Sequence, residues 1–114
     1  PKRKMEQITP QALKQLLDEE GAIDEQPPLL LDVREPWEHA ICRIDGSELL
    51  PMRQVPSTIG RLQANRPTVV ICHHGIRSQQ VARFLEQQGF ARVINLRGGI
   101  AAWASDVDPK MPTY

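Results

Sequence analysis

The residues best suited to covalent chemistry lie in one short stretch, Cys72-His73-His74-Gly75-Ile76-Arg77-Ser78. A cysteine thiolate is a strong nucleophile, and a cation such as Arg77 nearby favours the ionised form. Gly75 can adopt backbone angles that a Cβ would forbid, which lets neighbouring N–H groups turn toward the sulfur. This order of residue types predicts a nucleophilic cysteine cradled by main-chain donors. A thiol sealed beneath packed side chains would contradict that interpretation.

Two predicted elements position this stretch. The preceding run Thr68–Ile71 is β-branched, and its last three residues are apolar, which is typical of a strand buried on both faces. From Ser78 the spacing becomes helical, with Val81 and Leu85 on one face and Gly89 as the stop. The cysteine is therefore predicted at a strand end before a helix N-terminus, where unpaired N–H groups and the helix dipole stabilise an anion. The alternative is an inert buried cysteine at an ordinary strand end, and the combined pattern favours the nucleophile.

Three motifs together resemble the rhodanese homology domain, in that family's order from Ile8 to Trp103. They are Leu31-Asp32-Val33-Arg34-Glu35-Pro36-Trp37-Glu38, the stretch from Cys72 to Ser78, and Leu96-Arg97-Gly98-Gly99-Ile100-Ala101-Ala102-Trp103. The loop has the family's Cys-x-x-Gly-x-Arg form, whereas phosphatases of similar appearance carry one more residue between cysteine and arginine. The shorter loop implies a smaller ring of donors, suited to a persulfide more than to a phosphate.

Alternating short apolar strands and helices predict an α/β fold, with a parallel sheet covered by helices on both faces. The resemblance implies a three-layer sandwich whose five strands follow the order 1-5-4-2-3. We place the rhodanese-like domain at residues 8–104, after a basic tail and domain start over 1–7 and before an irregular tail over 105–114. The predicted elements include strands at Met5–Ile8, Leu29–Val33, Leu49–Leu50 and Val93–Leu96, and helices at Thr9–Gly21, Pro36–Ile41, Val55–Leu62 and Ile100–Ala104.

Asp32 and Arg34 are the supporting residues of the predicted site. Asp32 is expected near the C-terminal end of its strand, at the sheet edge that also carries Cys72. A buried aspartate needs partners, and Arg34 or the backbone of the next loop can supply them. A structural role is favoured over a catalytic one. Arg34 and Glu35 are expected to join Arg77 in an ion-pair network, and the resemblance also places this motif beside the active site.

Two other residues have open interpretations. Trp37 is expected to pack in the core or in the wall of a pocket. Cys42 lies where the family commonly shows Gly-His-Ile-Pro-Gly-Ala, so no role of the usual histidine carries over. Its thiol could receive sulfur from Cys72 or form a disulfide with it, but a small buried residue is the favoured interpretation.

The predicted reaction is sulfur transfer through a persulfide on Cys72. The resemblance implies a small sulfur-containing anion such as thiosulfate as donor, and cyanide, a thiol or a protein cysteine as acceptor. The loop residues His73, His74, Gly75, Ile76, Arg77 and Ser78 would hold the transferred sulfur or the substrate. Arg77 would bind the anionic donor or brace the loop, Ser78 would cap the helix, and the two histidines would line the pocket mouth.

No metal or organic cofactor is expected, because adjacent residues of a tight loop rarely aim at one metal ion and the familiar zinc spacings are absent. Two other functions remain open. One is a module that carries sulfur or binds a partner without turnover. The other, disfavoured by the loop length, is a phosphatase or arsenate reductase.

Composition limits the class of protein. A chain of 114 residues is long enough for one domain and too short for two. Its 14 basic and 14 acidic residues cancel, so no overall field would attract nucleic acid or an anionic membrane. No apolar run approaches the roughly 20 residues that cross a bilayer, and no signal segment opens the chain. We expect a cytoplasmic protein with no nucleic-acid or membrane partner.

Overall fold

The computed structural model describes residues 4–114, so Lys2 and Arg3 of the predicted basic tail lie outside the described residues. Strands and helices alternate along the chain. The strands are β1 (Glu6–Ile8), β2 (Leu29–Asp32), β3 (Glu48–Leu49), β4 (Thr68–Ile71) and β5 (Val93–Leu96). The helices are α1 (Pro10–Glu19), α2 (Pro36–Ile41), α3 (Val55–Thr58), α4 (Ile76–Gln87) and α5 (Gly99–Asp106). None of the helices formed by residues 4–114 is both long and apolar enough to span a bilayer.

The five strands form one parallel sheet in the order β1-β5-β4-β2-β3, which confirms the predicted topology. Asp32 at the end of β2 lies opposite Ile71 at the end of β4. Val70 of β4 lies opposite Asn95 of β5. Because parallel strands end at the same sheet edge, the residues that follow β2, β4 and β5 come together there.

Helices cover both faces of the sheet, and successive strand residues point to opposite faces. Ile71 packs with Leu13 of α1 and Trp103 of α5, whereas Val70 packs on the other face with Val55 of α3 and Leu85 of α4. Full burial of each large aliphatic side chain contributes about 1.5–3 kcal/mol, so these two clusters supply the main driving force for folding.

Several helices differ from their predicted bounds, the one around α3 most of all. The segment predicted as one helix over Val55–Leu62 is a short α-helix flanked by 3₁₀ turns at Met52–Gln54 and Ile59–Arg61. Pro56 lacks an N–H group and Gly60 weakens a helix, so a regular helix is not sustained. Conversely, α4 starts two residues before the predicted Ser78.

The prediction of a core position for Trp37 is wrong. Its side chain is 60% exposed, and its ring meets the Tyr114 ring edge-on with centroids 5.4 Å apart. Neighbouring residues of a helix point about 100° apart, and in α2 the next residue, Glu38, takes the inward position. Trp37 is thereby left on the surface.

After α5 the chain turns back toward the sheet edge. The N–H groups of Val107 and Asp108 both donate to the Trp103 carbonyl, which closes the helix. Met111 is buried against the core, and Tyr114 then reaches the loop after β4. The irregular segment is thus packed against the domain at both of these side chains.

Candidate active site

The loop between β4 and α4 surrounds the Cys72 sulfur. Gly75 caps α4 with a left-handed φ of +96°, and its N–H donates to Cys72 Sγ at 3.0 Å. The thiol lies 3.2 Å from Ser78 Oγ and donates to it. Ser78 in turn donates to Asn95 Oδ1 at 2.5 Å. The sulfur therefore sits at the N-terminus of a 12-residue helix with a main-chain donor and a hydroxyl beside it.

This cradle is tighter and more closed than the sequence predicts. Among the described residues, the hydrogen-bond partners of the Cys72 sulfur are Gly75 and Ser78. Cys72 is only 1% exposed, although Ile76 in the same loop is 71% exposed. Cys72 belongs to the same buried cluster as Val70 and Leu85, so an external molecule can reach its sulfur only when the surrounding side chains move apart.

The N-terminus of α5 holds the outer side of the same loop. The N–H of Ile100 donates to the Cys72 carbonyl at 2.8 Å, and the N–H of Ala101 donates to the His73 carbonyl at 2.9 Å. The C=O and N–H of one trans peptide point in opposite directions. The N–H groups of His73 and His74, which share peptides with these two carbonyls, therefore point away from α5. At Gly99 an added Cβ would lie 2.3 Å from the Cys72 carbonyl oxygen, which explains why a glycine packs there.

Arg77 braces the loop against α2. Its guanidinium makes a two-pronged pair with Glu38, Nη1 to Oε1 at 2.7 Å and Nη2 to Oε2 at 2.8 Å. The Glu38 side chain is 4% exposed and that of Arg77 is 35% exposed. Hydrogen bonds from Arg77 lower the pKa of Glu38 to about 2. Of the two roles predicted for Arg77, this geometry supports the brace directly.

Glu35 does not join this pair. It is the N-cap of α2, where its side chain pairs with Arg53 at 2.9 Å and its N–H donates to Glu38 Oε1 at 2.8 Å. The expected network with Arg77 is therefore made by the glutamate one helical turn later, because that side chain points inward from α2.

Asp32 and Arg34 form a fully buried ion pair beneath the site. Arg34 Nε donates to Asp32 Oδ1 at 2.9 Å and Nη2 donates to Oδ2 at 2.7 Å. The guanidinium also donates to the carbonyls of Glu38 and Cys42. Although burial acts to lower the pKa of Arg34, the hydrogen bonds to Asp32 and Tyr114 raise it above its ordinary value. The pair therefore ties the end of β2 to the middle of α2 and to its C-terminal cap, as a structural role requires.

Comparison with known proteins identifies this combination of fold and loop. A family model described as the rhodanese-like domain matches residues 9–106 of the chain. The chain belongs to the rhodanese-like domain family. The match covers every helix, every strand after β1, and all of the side chains placed around Cys72 above.

Several relatives of this rhodanese-like domain have names that state an activity or an architecture. It is 44% identical over 89 residues to the chloroplastic rhodanese-like/PpiC domain-containing protein 12 of Arabidopsis thaliana, covering 75% of this chain but only 30% of that protein. It is 43% identical over 81 residues to a sulfurtransferase of Allochromatium vinosum, covering 71% of this chain and 76% of the relative. It is 37% identical over 84 residues to the thiosulfate sulfurtransferase GlpE of Pseudomonas fluorescens, with coverages of 74% and 77%.

A solved structure agrees with the fold. The rhodanese-like domain protein of Staphylococcus aureus is 31% identical, with a TM-score of 0.75 over 87% of this chain and 91% of that one.

The two loop histidines lie at the rim of the rhodanese-like site. Their rings are 4.0 Å apart, with His73 partly buried and His74 exposed. Burial and the neighbouring His74 lower the pKa of His73, which favours its neutral form near neutral pH. Within residues 4–114, no three His, Cys, Asp or Glu side chains come together as a group that could hold a metal ion.

Three contributors to the site were not assigned there from sequence. Glu38 could have been found, because a glutamate three residues after the N-cap position of a short helix is a capping-box signal. Asn95 could also have been found, because it is the polar residue in an otherwise apolar strand. Tyr114 carried no signal, since it lies in irregular chain with no periodicity.

The Arg77–Glu38 pair predicts a pH-dependent stability. The pKa of Glu38 falls from an ordinary 4.5 to about 2 on folding. The ionised carboxylate therefore contributes its full share to the free energy of unfolding above pH 4.5, and this share is lost as the pH drops toward 2. We expect Glu38→Gln to lower the free energy of unfolding at pH 7 by on the order of 2 kcal/mol and to flatten its decline below pH 4.5. Urea unfolding at several pH values measures both effects. Glu48→Gln, at an exposed glutamate, is the control, and equal acid sensitivity of wild type and Glu38→Gln would contradict the assignment.

The two free cysteines should differ in reactivity. Cys42 is buried in the cluster that includes Leu13, on the opposite face of the sheet from the cluster that includes Cys72. The Cys72 sulfur lies at the N-terminus of α4 and accepts from the Gly75 N–H, a setting that Cys42 lacks, so we expect iodoacetamide near neutral pH to label Cys72 at least about tenfold faster than Cys42. Peptide mass spectrometry measures the ratio, and labelling in urea is the control for intrinsic reactivity. Preferential labelling of Cys42 in the folded protein would show that the loop seals the sulfur.

Proposed function

We propose that this rhodanese-like domain is a sulfurtransferase that carries a sulfane sulfur on Cys72. The observation that supports this most strongly is the Cys72 sulfur held at a helix N-terminus, 3.0 Å from the Gly75 N–H and 3.2 Å from the Ser78 hydroxyl. The Gly75 N–H can donate to the terminal sulfur of a persulfide once the loop relaxes around it. The names of the Allochromatium and Pseudomonas relatives support the same activity.

The reaction consists of two displacements at sulfur. The Cys72 thiolate attacks the outer sulfur of thiosulfate; the new S–S bond forms as the old one breaks, and sulfite leaves with the electron pair. An acceptor such as cyanide then attacks the terminal sulfur of the persulfide and leaves as thiocyanate, which regenerates the thiolate. Neither step needs a metal or an organic cofactor, and a covalent intermediate shared by two half-reactions predicts ping-pong kinetics.

Thiosulfate is the proposed donor because the site offers a cation and main-chain donors to a small anion. The Arg77 side chain is 35% exposed, and both of its terminal nitrogens hold Glu38. A donor anion would meet the exposed part of this side chain first. In the cell, a thiol or a protein cysteine would take the place of cyanide.

The second candidate function is a sulfur carrier or interaction module with little turnover of its own. The near-complete burial of Cys72 favours it, since each cycle requires the loop to open. A phosphatase or arsenate reductase is disfavoured, because the loop that ends at Arg77 is one residue shorter than the phosphatase form.

Intact-mass measurement separates these functions. After incubation with thiosulfate we expect the protein to gain the mass of one sulfur on Cys72, and subsequent cyanide to remove it and release thiocyanate over repeated cycles. A mass gain without turnover would support the carrier function instead. Absence of the mass gain, with a thiol that remains alkylatable, would overturn sulfur transfer by this domain.

A further inference from the structure

Tyr114 makes more specific contacts with the site than any other residue of the segment after α5. Its ring is stacked on the His73 ring, with centroids 4.1 Å apart and an interplanar angle of 17°. Its hydroxyl donates to Glu38 Oε2 at 2.9 Å and accepts from Arg34 Nη1 at 2.9 Å. A single side chain therefore touches the loop next to Cys72, the partner of Arg77, and the buried Arg34.

These contacts involve both ends of the loop. His73 is the first residue after the cysteine, and Arg77 is held by the same Glu38 carboxylate that receives the Tyr114 hydroxyl. The connected chain of polar groups runs from Asp32 through Arg34, Tyr114 and Glu38 to Arg77. A displacement at any point in that chain alters how the loop is held around the sulfur.

A tyrosine hydroxyl suits this position because it meets two opposite demands. It must accept from a guanidinium and donate to a carboxylate at the same time, which a neutral phenol does and a phenylalanine ring cannot. Burial raises the pKa of Tyr114 to about 12, so the hydroxyl keeps its proton across the physiological range. The carboxylate of Glu38 is thereby held by charge-assisted hydrogen bonds from two sides, which fixes its direction toward Arg77.

We propose that Tyr114 is a positioning residue for sulfur transfer: its hydroxyl orients Glu38, and Glu38 orients Arg77 and the loop around Cys72. The proposal rests on the proposed function for one of its two measurements, the rate at which thiosulfate loads Cys72. The other measurement, the rate of alkylation of Cys72, does not depend on sulfur transfer. It assigns to the irregular segment a part in the site that neither the loop motif nor the family match specifies.

A double-mutant cycle between Tyr114→Phe and Glu38→Gln tests the proposal. Tyr114→Phe keeps the ring on His73 and removes only the bridging hydroxyl. The hydroxyl makes two hydrogen bonds to charged groups, and the one to Glu38 is the one that orients the loop. We expect its loss to slow the loading of Cys72 by thiosulfate about tenfold and to speed alkylation of Cys72 by iodoacetamide through a looser loop. In the Glu38→Gln background, Tyr114→Phe should change either rate by less than about twofold, because the carboxylate through which the Tyr114 hydroxyl acts is already gone.

The controls separate positioning from general destabilisation. Thr113→Ala changes the neighbouring exposed residue and should leave both rates as in wild type. If Glu38→Gln does not fold, Arg77→Lys provides the second background, since it breaks the two-pronged pair from the other side. Equal effects of Tyr114→Phe in the wild-type and altered backgrounds, or no effect in wild type, would overturn the proposal. If wild type loads no sulfur at all, the proposed function fails, while the alkylation cycle still decides the role of Tyr114.

Discussion

Cys72→Ser is expected to abolish sulfur transfer while leaving the fold intact. Serine keeps the size and the two hydrogen-bond contacts of the buried thiol, to Gly75 and Ser78. Its oxygen is a poor nucleophile and cannot form a persulfide, so turnover should fall by on the order of 10⁴-fold or more. Thiocyanate release from thiosulfate and cyanide measures the loss, and circular dichroism checks the fold.

Cys42→Ser is the matched control for this substitution. Cys42 is also buried, but it lies on the other face of the sheet, and its sulfur approaches Arg34 Nη1 at a long 4.0 Å. We expect turnover close to that of wild type. Residual turnover in Cys72→Ser, or an equal loss in Cys42→Ser, would show that the persulfide does not form on Cys72 alone.

Gly99→Ala is expected to damage both the loop and the stability of the domain. An added Cβ would lie 2.3 Å from the Cys72 carbonyl oxygen and 2.6 Å from that of His73, so α5 and the loop would have to separate. The left-handed φ of +61° at Gly99 adds strain for any residue with a side chain. Together these effects should lower the free energy of unfolding by about 3 kcal/mol or more, with loss of sulfur transfer. Urea unfolding and thiocyanate release measure the two consequences.

Gly46→Ala separates the strain from the steric conflict. Gly46 also has a left-handed φ, +84°, but nothing lies within 4 Å of the position that its Cβ would take. Gly46→Ala should therefore lower the free energy of unfolding only through backbone strain, by about 1–2 kcal/mol, and the protein should keep its activity. If Gly99→Ala were no more destabilising than Gly46→Ala, the close packing of α5 on the loop would not be what requires glycine at position 99.

The positions of the main elements follow from local patterns. The mostly apolar runs at Leu29–Val33 and Thr68–Ile71 predict buried strands because both faces of a parallel sheet are covered, and helical spacing after the loop predicts α4. Cys72 could be placed at the junction of strand and helix for the same reason. Burial of Trp37 could not be judged in this way, because residues on a six-residue helix take their direction from what their neighbours contact.

The surroundings of the sulfur depend on contacts between distant parts of the chain. Glu38 is hydrogen-bonded to Arg77 and to Tyr114, which lie 39 and 76 residues further along the sequence, and no periodicity or spacing in the sequence connects these residues. The sequence by itself determined the succession of strands and helices along the chain and the place of Cys72 between a strand and a helix, since these depend on neighbouring residues. Only the tertiary structure decided how the loop is braced and how deeply Cys72 is buried, because the parallel sheet brings the ends of separate strands to one edge.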